Sequence, residues 1–279
     1  MNSTLKNIHL ELDPFYGKRE VDAIARIIFE YLKGWSQVDM VVNADCKLSD
    51  FMKSQIHGIV ERLKRYEPIQ YIVGYAYFYG LKIKVRSGVL IPRPETAQLV
   101  DIIVDENKSP DLKVLDVCSG SGCISLALSR NLPFADVSGV DVSPDALAVA
   151  RENASDLRCD VEFVQADIFR WTPPEKYDII VSNPPYIDMS EKAAMDRNVT
   201  EYEPMIALFV PDADPLMFYE RIAEIGVESL KHRGKIYFEI NFRHSAEVVL
   251  MLERKGYSSV RLEKDMYGKD RFAVAVFEK

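Results

Sequence analysis

Apolar residues recur at helical spacing between residues 17 and 66, as Val21, Ile24, Ile28 and Leu32, then Phe51, Met52, Ile56, Ile59, Val60 and Leu63. A stripe with a 3.6-residue period is what a helix buries, so this stretch reads as a small helical bundle. Between Ile69 and Pro92 the pattern changes to alternation, with Leu81, Ile83 and Val85 set against Lys82, Lys84 and Arg86. Tyr79-Gly80 follows an aromatic run and supplies a turn, which predicts a β-hairpin between two domains. Beyond it, residues 114–117, 137–140, 161–164, 179–181 and 236–240 read as short buried strands separated by helical stretches such as 124–131 and 144–154. Buried strands alternating with helices imply an α/β fold with a doubly wound parallel sheet. Residues 257–262 and 272–277 are strand-like runs joined by a polar loop, which predicts an antiparallel pair at the end of the sheet. The expected organisation is a helical domain over 1–68, a hairpin linker over 69–92 and a sheet domain over 93–279.

Composition narrows the function classes. With 48% hydrophobic and 28% charged residues the chain is that of a globular protein, and its net charge of −8 disfavours binding nucleic acid through phosphate contacts. Cys46, Cys118, Cys123 and Cys159 show no Cys-x-x-Cys spacing, and His9, His57, His232 and His244 show no paired ligand spacing, so neither a disulfide framework nor a metal site is expected. No signal-peptide pattern or membrane-length apolar run occurs, and a monomer in the reducing cytoplasm, with no membrane partner, is the expectation.

Candidate chemistry concentrates at strand ends. Asn183-Pro184-Pro185-Tyr186 follows the apolar run Ile179-Ile180-Val181, and open α/β sheets bind ligands where such strands end. A carboxamide accepts and donates, and two prolines stiffen the loop and leave its carbonyls free, an arrangement that can grip an NH2 group. The tetrapeptide alone also fits a proline-rich turn. A second signal is the strand-to-helix turn Asp116-Val117-Cys118-Ser119-Gly120-Ser121-Gly122, whose small residues let a ligand approach a helix N-terminus. Asp141 ends the next strand, where an acidic side chain can accept both ribose hydroxyls, so an adenosine-containing ligand is indicated. Loop and Asp141 alone leave a nicotinamide dehydrogenase open. Asp167 ends the strand after that and suits either an adenine amino group or a cap before Ile168-Phe169.

Together these pieces resemble the class I S-adenosylmethionine-dependent methyltransferases that modify planar nitrogen atoms. Pro68-Ile69-Gln70-Tyr71-Ile72-Val73-Gly74, Arg93-Pro94-Glu95-Thr96, Tyr202-Glu203-Pro204 and Gly268-Lys269-Asp270-Arg271-Phe272 are similar to elements of the HemK-type methyltransferases of class I peptide chain release factors. The resemblance implies a Rossmann-like seven-stranded sheet, S-adenosyl-L-methionine as cofactor and S-adenosyl-L-homocysteine as product. Its implied reaction is methylation of the N5 amide nitrogen of the glutamine in a Gly-Gly-Gln motif. Asn183 and the Pro184 carbonyl would accept the amide hydrogens, with Pro185 and Tyr186 packing the amide plane. Asp116, Cys118, Ser119, Gly120, Ser121, Gly122, Asp141, Asp167, Ile168 and Asn183 would surround the cofactor, although Asp116 equally fits a helix cap. Cys118 replaces the family's first loop glycine, Asn241 follows Glu239-Ile240 where a glycine is usual, and 210–215 departs from a glycine-rich segment. The last two changes are expected to leave the chemistry untouched. The alternatives are a DNA or RNA amino-methyltransferase, which would need a basic recognition region, and a non-catalytic adenosine-binding module.

Overall fold

A computed structural model describes residues 1–278, which form two compact units: Met1–Tyr75 with Asp196–Tyr202, and Ala76–Met195 with Glu203 onward. The first unit is helical: α1 (Asn2–Leu12), α2 (Lys18–Lys33), α3 (Gln37–Val42), α4 (Asp50–Leu63) and α5 (Ile69–Val73). α2 buries Val21, Ile24, Ala25, Ile28 and Phe29 and stops at Gly34, which takes the left-handed conformation that ends helices. α4 starts where Met52 N–H donates to Ser49 Oγ at 3.3 Å, and it turns Met52, Ile56, Ile59, Val60 and Leu63 into the same core.

Three details differ from the sequence expectation. Phe51 is 74% exposed, because one helical step turns it about 100° away from Met52 and off the buried stripe. α1 was not anticipated, since Ile8 and Leu12 are the only residues in it that are buried. Ile69–Val73 is a helix rather than part of an alternating segment; Pro68 precedes it, Ile69, Ile72 and Val73 are buried, and Gly74 at φ 83° stops it. Glu11, His57 and Glu61 also bring ligand-type atoms within 4.8 Å of one another, a convergence the histidine spacing did not suggest. Lys64 Nζ already donates to Glu11 Oε2 at 2.5 Å and Glu61 Oε1 at 2.8 Å and offsets part of their charge.

The second unit opens with the predicted hairpin, β1 (Tyr75–Phe78) and β2 (Leu81–Lys84), whose turn residues Tyr79 and Gly80 both have positive φ, as a type I′ two-residue turn requires. Next come α6 (Pro94–Glu106), β3 (Lys113–Val117), α7 (Cys123–Asn131), β4 (Asp136–Asp141), α8 (Pro144–Leu157), β5 (Val161–Gln165) and β6 (Tyr177–Ser182). The remainder is β7 (Ile187–Asp188), α9 (Arg197–Tyr202, in the first unit), β8 (Phe209–Val210), α10 (Met217–Ser229), β9 (Leu230–Glu239), α11 (Ser245–Arg254), β10 (Tyr257–Lys264) and β11 (Asp270–Phe277). Seven strands form one sheet in the order β10-β11-β9-β6-β3-β4-β5. β11 runs antiparallel to β9 and β10, and the other pairings are parallel. The expected α/β class, seven-stranded sheet and terminal antiparallel pair are all present. Strand order reverses between β3 and β6, so their carboxyl ends, where Val117 pairs with Ser182, flank the crevice in which such sheets hold ligands.

Gly122 fixes the turn from β3 into α7. It sits at φ 78°, and a Cβ there would lie 2.8 Å from Phe163 Cζ and 3.2 Å from Ala150 Cβ. Gly122→Ala combines a left-handed side chain with overpacking and is expected to destabilise the protein by about 2–4 kcal/mol. Urea denaturation of the two proteins measures this, and an unchanged midpoint would contradict it.

Candidate active site

Two loops leave the sheet side by side at the strand-order reversal. Residues 118–122 follow β3, residues 183–186 follow β6, and Ser182 Oγ–H donates to the Val117 carbonyl at 2.6 Å, pinning one loop base to the other. Above them lies a cavity of ≈ 290 Å³, near the lower end of the range for small-molecule sites. Its wall includes Cys118, Gly120, Asp141, Asp167, Ile168, Asn183 and Pro185, so the structure brings these seven expected site residues together. Asp116, Ser119, Ser121, Gly122, Pro184 and Tyr186 do not line it; Asp116, Ser119 and Ser121 are buried in the fold.

Asp141 organises the glycine loop. Its Oδ2 accepts from Gly120 N–H at 2.8 Å and its Oδ1 from Ser143 N–H at 2.9 Å, at the start of α8. Burial pushes its carboxyl up while these N–H donors oppose the shift. Each oxygen keeps a second lone pair for a hydroxyl. Asp167 Oδ1 accepts from Phe169 N–H at 3.1 Å, a local turn contact, while the residue also lines the cavity.

Asp116 takes the capping position. Its Oδ2 accepts from Ser125 N–H at 3.0 Å and Ser125 Oγ–H at 2.5 Å in the first turn of α7, while Oδ1 is buried with no hydrogen-bond partner among the described residues. Burial is the main reason its carboxyl is pushed up to about 7 from an ordinary 3.8. A folded-state pKa above the unfolded value means that the native state holds the proton more tightly. This stabilisation is fully present below 3.8 and is lost as pH rises through about 7. Asp116→Asn is therefore expected to flatten the decline of unfolding free energy across that window. Denaturation at a series of pH values measures it, and parallel curves for parent and variant would contradict the assignment.

Cys118 holds φ 61°, left-handed geometry that glycine adopts without cost, so the departure from the usual glycine is a strained position in this fold. Burial and the neighbouring Asp141 and Asp116 carboxylates push its thiol well above the ordinary range, which keeps it a neutral wall residue rather than a nucleophile.

The Asn183 loop is held from beneath by polar side chains that sequence reasoning did not assign to the site. Asn183 Nδ2 donates to Thr96 Oγ1 at 3.3 Å, and Thr96 Oγ1–H donates to Glu239 Oε2 at 2.6 Å. Tyr186 O–H donates to the other Glu239 oxygen at 2.9 Å. Asn241 Nδ2 donates to the Tyr186 carbonyl at 3.1 Å and to Glu191 Oε1 at 2.7 Å. Asn241 thus anchors the candidate catalytic loop directly: a carboxamide reaches a carbonyl that glycine has no side chain to meet. Glu203 is a further unanticipated element. Its Oε2 accepts from Ile91 N–H at 3.0 Å and its Oε1 from Arg93 at 2.6 Å, clasping the segment that carries Gly88 and Leu90 of the wall to the one that carries Pro204 and Ile206. The signal for Thr96, Glu203, Glu239 and Asn241 was their presence in the quoted motifs, but nothing in the motif spacing states which partners meet, and Glu191 carried no signal.

Comparison with known proteins matches this architecture. A family profile described as "Methyltransferase small domain" matches residues 95–202, and one described as "PrmC N-terminal domain" matches residues 16–74. A solved methyltransferase from Pyrococcus furiosus superposes with a TM-score of 0.54 at 15% identity, covering 83% of this chain and all of that one, a likeness of fold alone. A protein of Flavobacterium psychrophilum named release factor glutamine methyltransferase is 41% identical, with 93% of each chain covered. One of the same name from Bacteroides thetaiotaomicron is 46% identical, with 99% of each chain covered. With sequence likeness of that degree over nearly its whole length, and the strand order and paired loops described above, the chain belongs to the release factor glutamine methyltransferase family.

Proposed function

We propose that this protein transfers the methyl group of S-adenosyl-L-methionine to the N5 amide nitrogen of the glutamine in the Gly-Gly-Gln motif of class I peptide chain release factors, acting as a monomer in the cytoplasm. The observation that carries the reading is Asn183: it stands on the cavity wall at the carboxyl end of β6, with its amino group tied back to Thr96 and its carbonyl oxygen therefore free to accept. The cavity suits the cofactor. Ala146, Ala166, Ile168, Phe169 and Phe218 offer an apolar slot for an adenine ring, and the Asp141 carboxylate stands beside it for ribose hydroxyls. Asp116 Oδ1 and Ser119 Oγ, buried without partners among the described residues, are what a loop completed by a polar ligand would leave. Bound there, the cofactor supplies an electrophilic methyl group on a sulfonium sulfur.

An amide nitrogen is a poor nucleophile because its lone pair is delocalised, so the protein's task is positioning and polarisation. Asn183 Oδ1 and the Pro184 carbonyl accept the two amide hydrogens and turn the nitrogen toward the methyl carbon, while Pro185 and Tyr186 pack the amide plane. Orientation of this kind supplies up to about 7–11 kcal/mol in favourable cases, and acceptors aimed at the charge developing on nitrogen add to it. One amide proton leaves to solvent after transfer, so no ionisable base is required. Two proposed neighbours, Asp167 and Ile168, hold the adenine; Cys118, Ser119, Gly120, Ser121 and Gly122 approach through the backbone.

The helical segment over residues 1–68 is proposed to recognise the body of the release factor while the sheet domain takes the Gly-Gly-Gln tip, linked by residues 69–92. A variant lacking residues 1–66 that stayed folded and methylated intact release factor at the parent rate would refute that role. The reaction itself is tested by mass spectrometry of the Gly-Gly-Gln peptide of an unmodified release factor after incubation with protein and cofactor. A gain of one methyl group on the glutamine is expected. An unmodified peptide despite cofactor binding would point instead to an exocyclic amine of DNA or RNA.

A further inference from the structure

We infer that Glu239 is a positioning residue that sets which end of the Asn183 carboxamide faces the substrate, acting through the hydroxyl of Thr96. The inference rests on the reading of Asn183 as the acceptor for the substrate amide and adds to it the device that keeps the acceptor turned the right way.

An asparagine side chain is nearly symmetric in shape, and a rotation of 180° about its last bond exchanges an acceptor for a donor at small steric cost. A methyl-transfer site that must accept amide hydrogens therefore needs a reason for the oxygen to point outward. Thr96 provides the contact and Glu239 provides its polarity. Thr96 has one hydroxyl hydrogen, and that hydrogen is committed to Glu239 Oε2 at 2.6 Å. Toward Asn183, 3.3 Å away, the same oxygen has only lone pairs left, so it must meet the NH2 end and leave Oδ1 for the cavity.

The carboxylate is a hub. Its second oxygen takes the Tyr186 hydroxyl at 2.9 Å, so one buried side chain orients both ends of the Asn-Pro-Pro-Tyr loop. Thr96 is 2% and Glu239 1% exposed, which denies both groups water as a substitute partner. A chain of three hydrogen bonds centred on buried groups is mutually polarising. Glutamine at 239 would present one acceptor and one NH2 to two hydroxyl donors. Satisfying the NH2 against Thr96 reverses the chain: the threonine then donates to Asn183, and the amide turns its oxygen inward. Glu239 ends β9 and Thr96 lies in the first turn of α6, 143 residues apart, so the relation exists only in the folded protein.

The test compares Glu239→Gln, Thr96→Val and Thr96→Ser with the parent in the full-length protein. Each is measured for kcat on saturating Gly-Gly-Gln peptide, Kd for S-adenosyl-L-methionine and thermal midpoint. Loss of the outer hydrogen-bonding partner is expected to lower kcat on the order of tenfold to a hundredfold in Glu239→Gln and Thr96→Val. Cofactor Kd should stay within about twofold, and Thr96→Ser, which keeps the hydroxyl, should recover the rate to within about threefold of the parent. A folded, cofactor-binding Glu239→Gln or Thr96→Val with kcat within about threefold of the parent overturns the inference, as does Thr96→Ser as slow as Thr96→Val. If Glu239→Gln fails to fold, the contrast between the two Thr96 variants decides. A parent that methylates the peptide alongside unaffected variants refutes only this inference; a parent that leaves the peptide unmodified refutes the proposed reaction with it.

Discussion

Asn183→Ala is expected to lower kcat on the Gly-Gly-Gln peptide by about 10²–10³-fold, the cost of removing one preorganised polar group aimed at developing charge. Three observations support that proposed role: the position just past β6, the rigid Pro184-Pro185 step, and the Thr96 contact that engages its amino group. Alanine removes the acceptor while the Ser182 to Val117 bond keeps the loop base in place, so the loss should fall on turnover rather than on folding. Steady-state kinetics with a parallel isothermal binding measurement separates the two. A variant that binds cofactor normally and turns over within about threefold of the parent would remove Asn183 from the chemistry.

Asp141→Ala should act on the other substrate. The carboxylate accepts the Gly120 and Ser143 N–H groups, and hydrogen bonds to a charged acceptor contribute about 1.5–3 kcal/mol each. Alanine releases the glycine loop and the start of α8 at once and also removes the proposed ribose acceptor. Cofactor Kd is expected to rise about 10²-fold or more, the equivalent of roughly 3 kcal/mol. Calorimetric titration reads this directly; an affinity within a few-fold of the parent would show that the loop is held by other means. The two variants should also be complementary, Asn183→Ala losing rate with cofactor affinity kept and Asp141→Ala losing affinity first.

Most of the sheet was legible in the chain because parallel strands are covered on both faces, which enriches short segments such as 114–117, 137–140 and 179–181 in aliphatic residues. The hairpin was legible from alternation and from Tyr79-Gly80. Helix α1 was not, because it commits only Ile8 and Leu12 to the interior, and Phe51 misled because hydrophobicity alone does not state which side of a helix a residue occupies. The cavity residues Gly120, Asp141 and Asn183 were legible because they end strands or lie in the loops that follow them, and strand ends converge in this fold.

The supporting shell was hidden for the opposite reason. A lone threonine, glutamate or asparagine reads as surface unless its partner is known, and the partners of Thr96, Glu203 and Asn241 lie 143, 110 and 50 residues away. By itself the sequence determined the α/β class, the two loops that meet at the strand-order reversal and the residue types that face the cavity, since periodicity and strand-end position are local properties of the chain. Only the tertiary structure decided which way Asn183 faces, what holds Tyr186 and that burial pushes the Asp116 carboxyl up. Those depend on hydrogen-bond polarity and burial, and both come into existence when distant segments pack together.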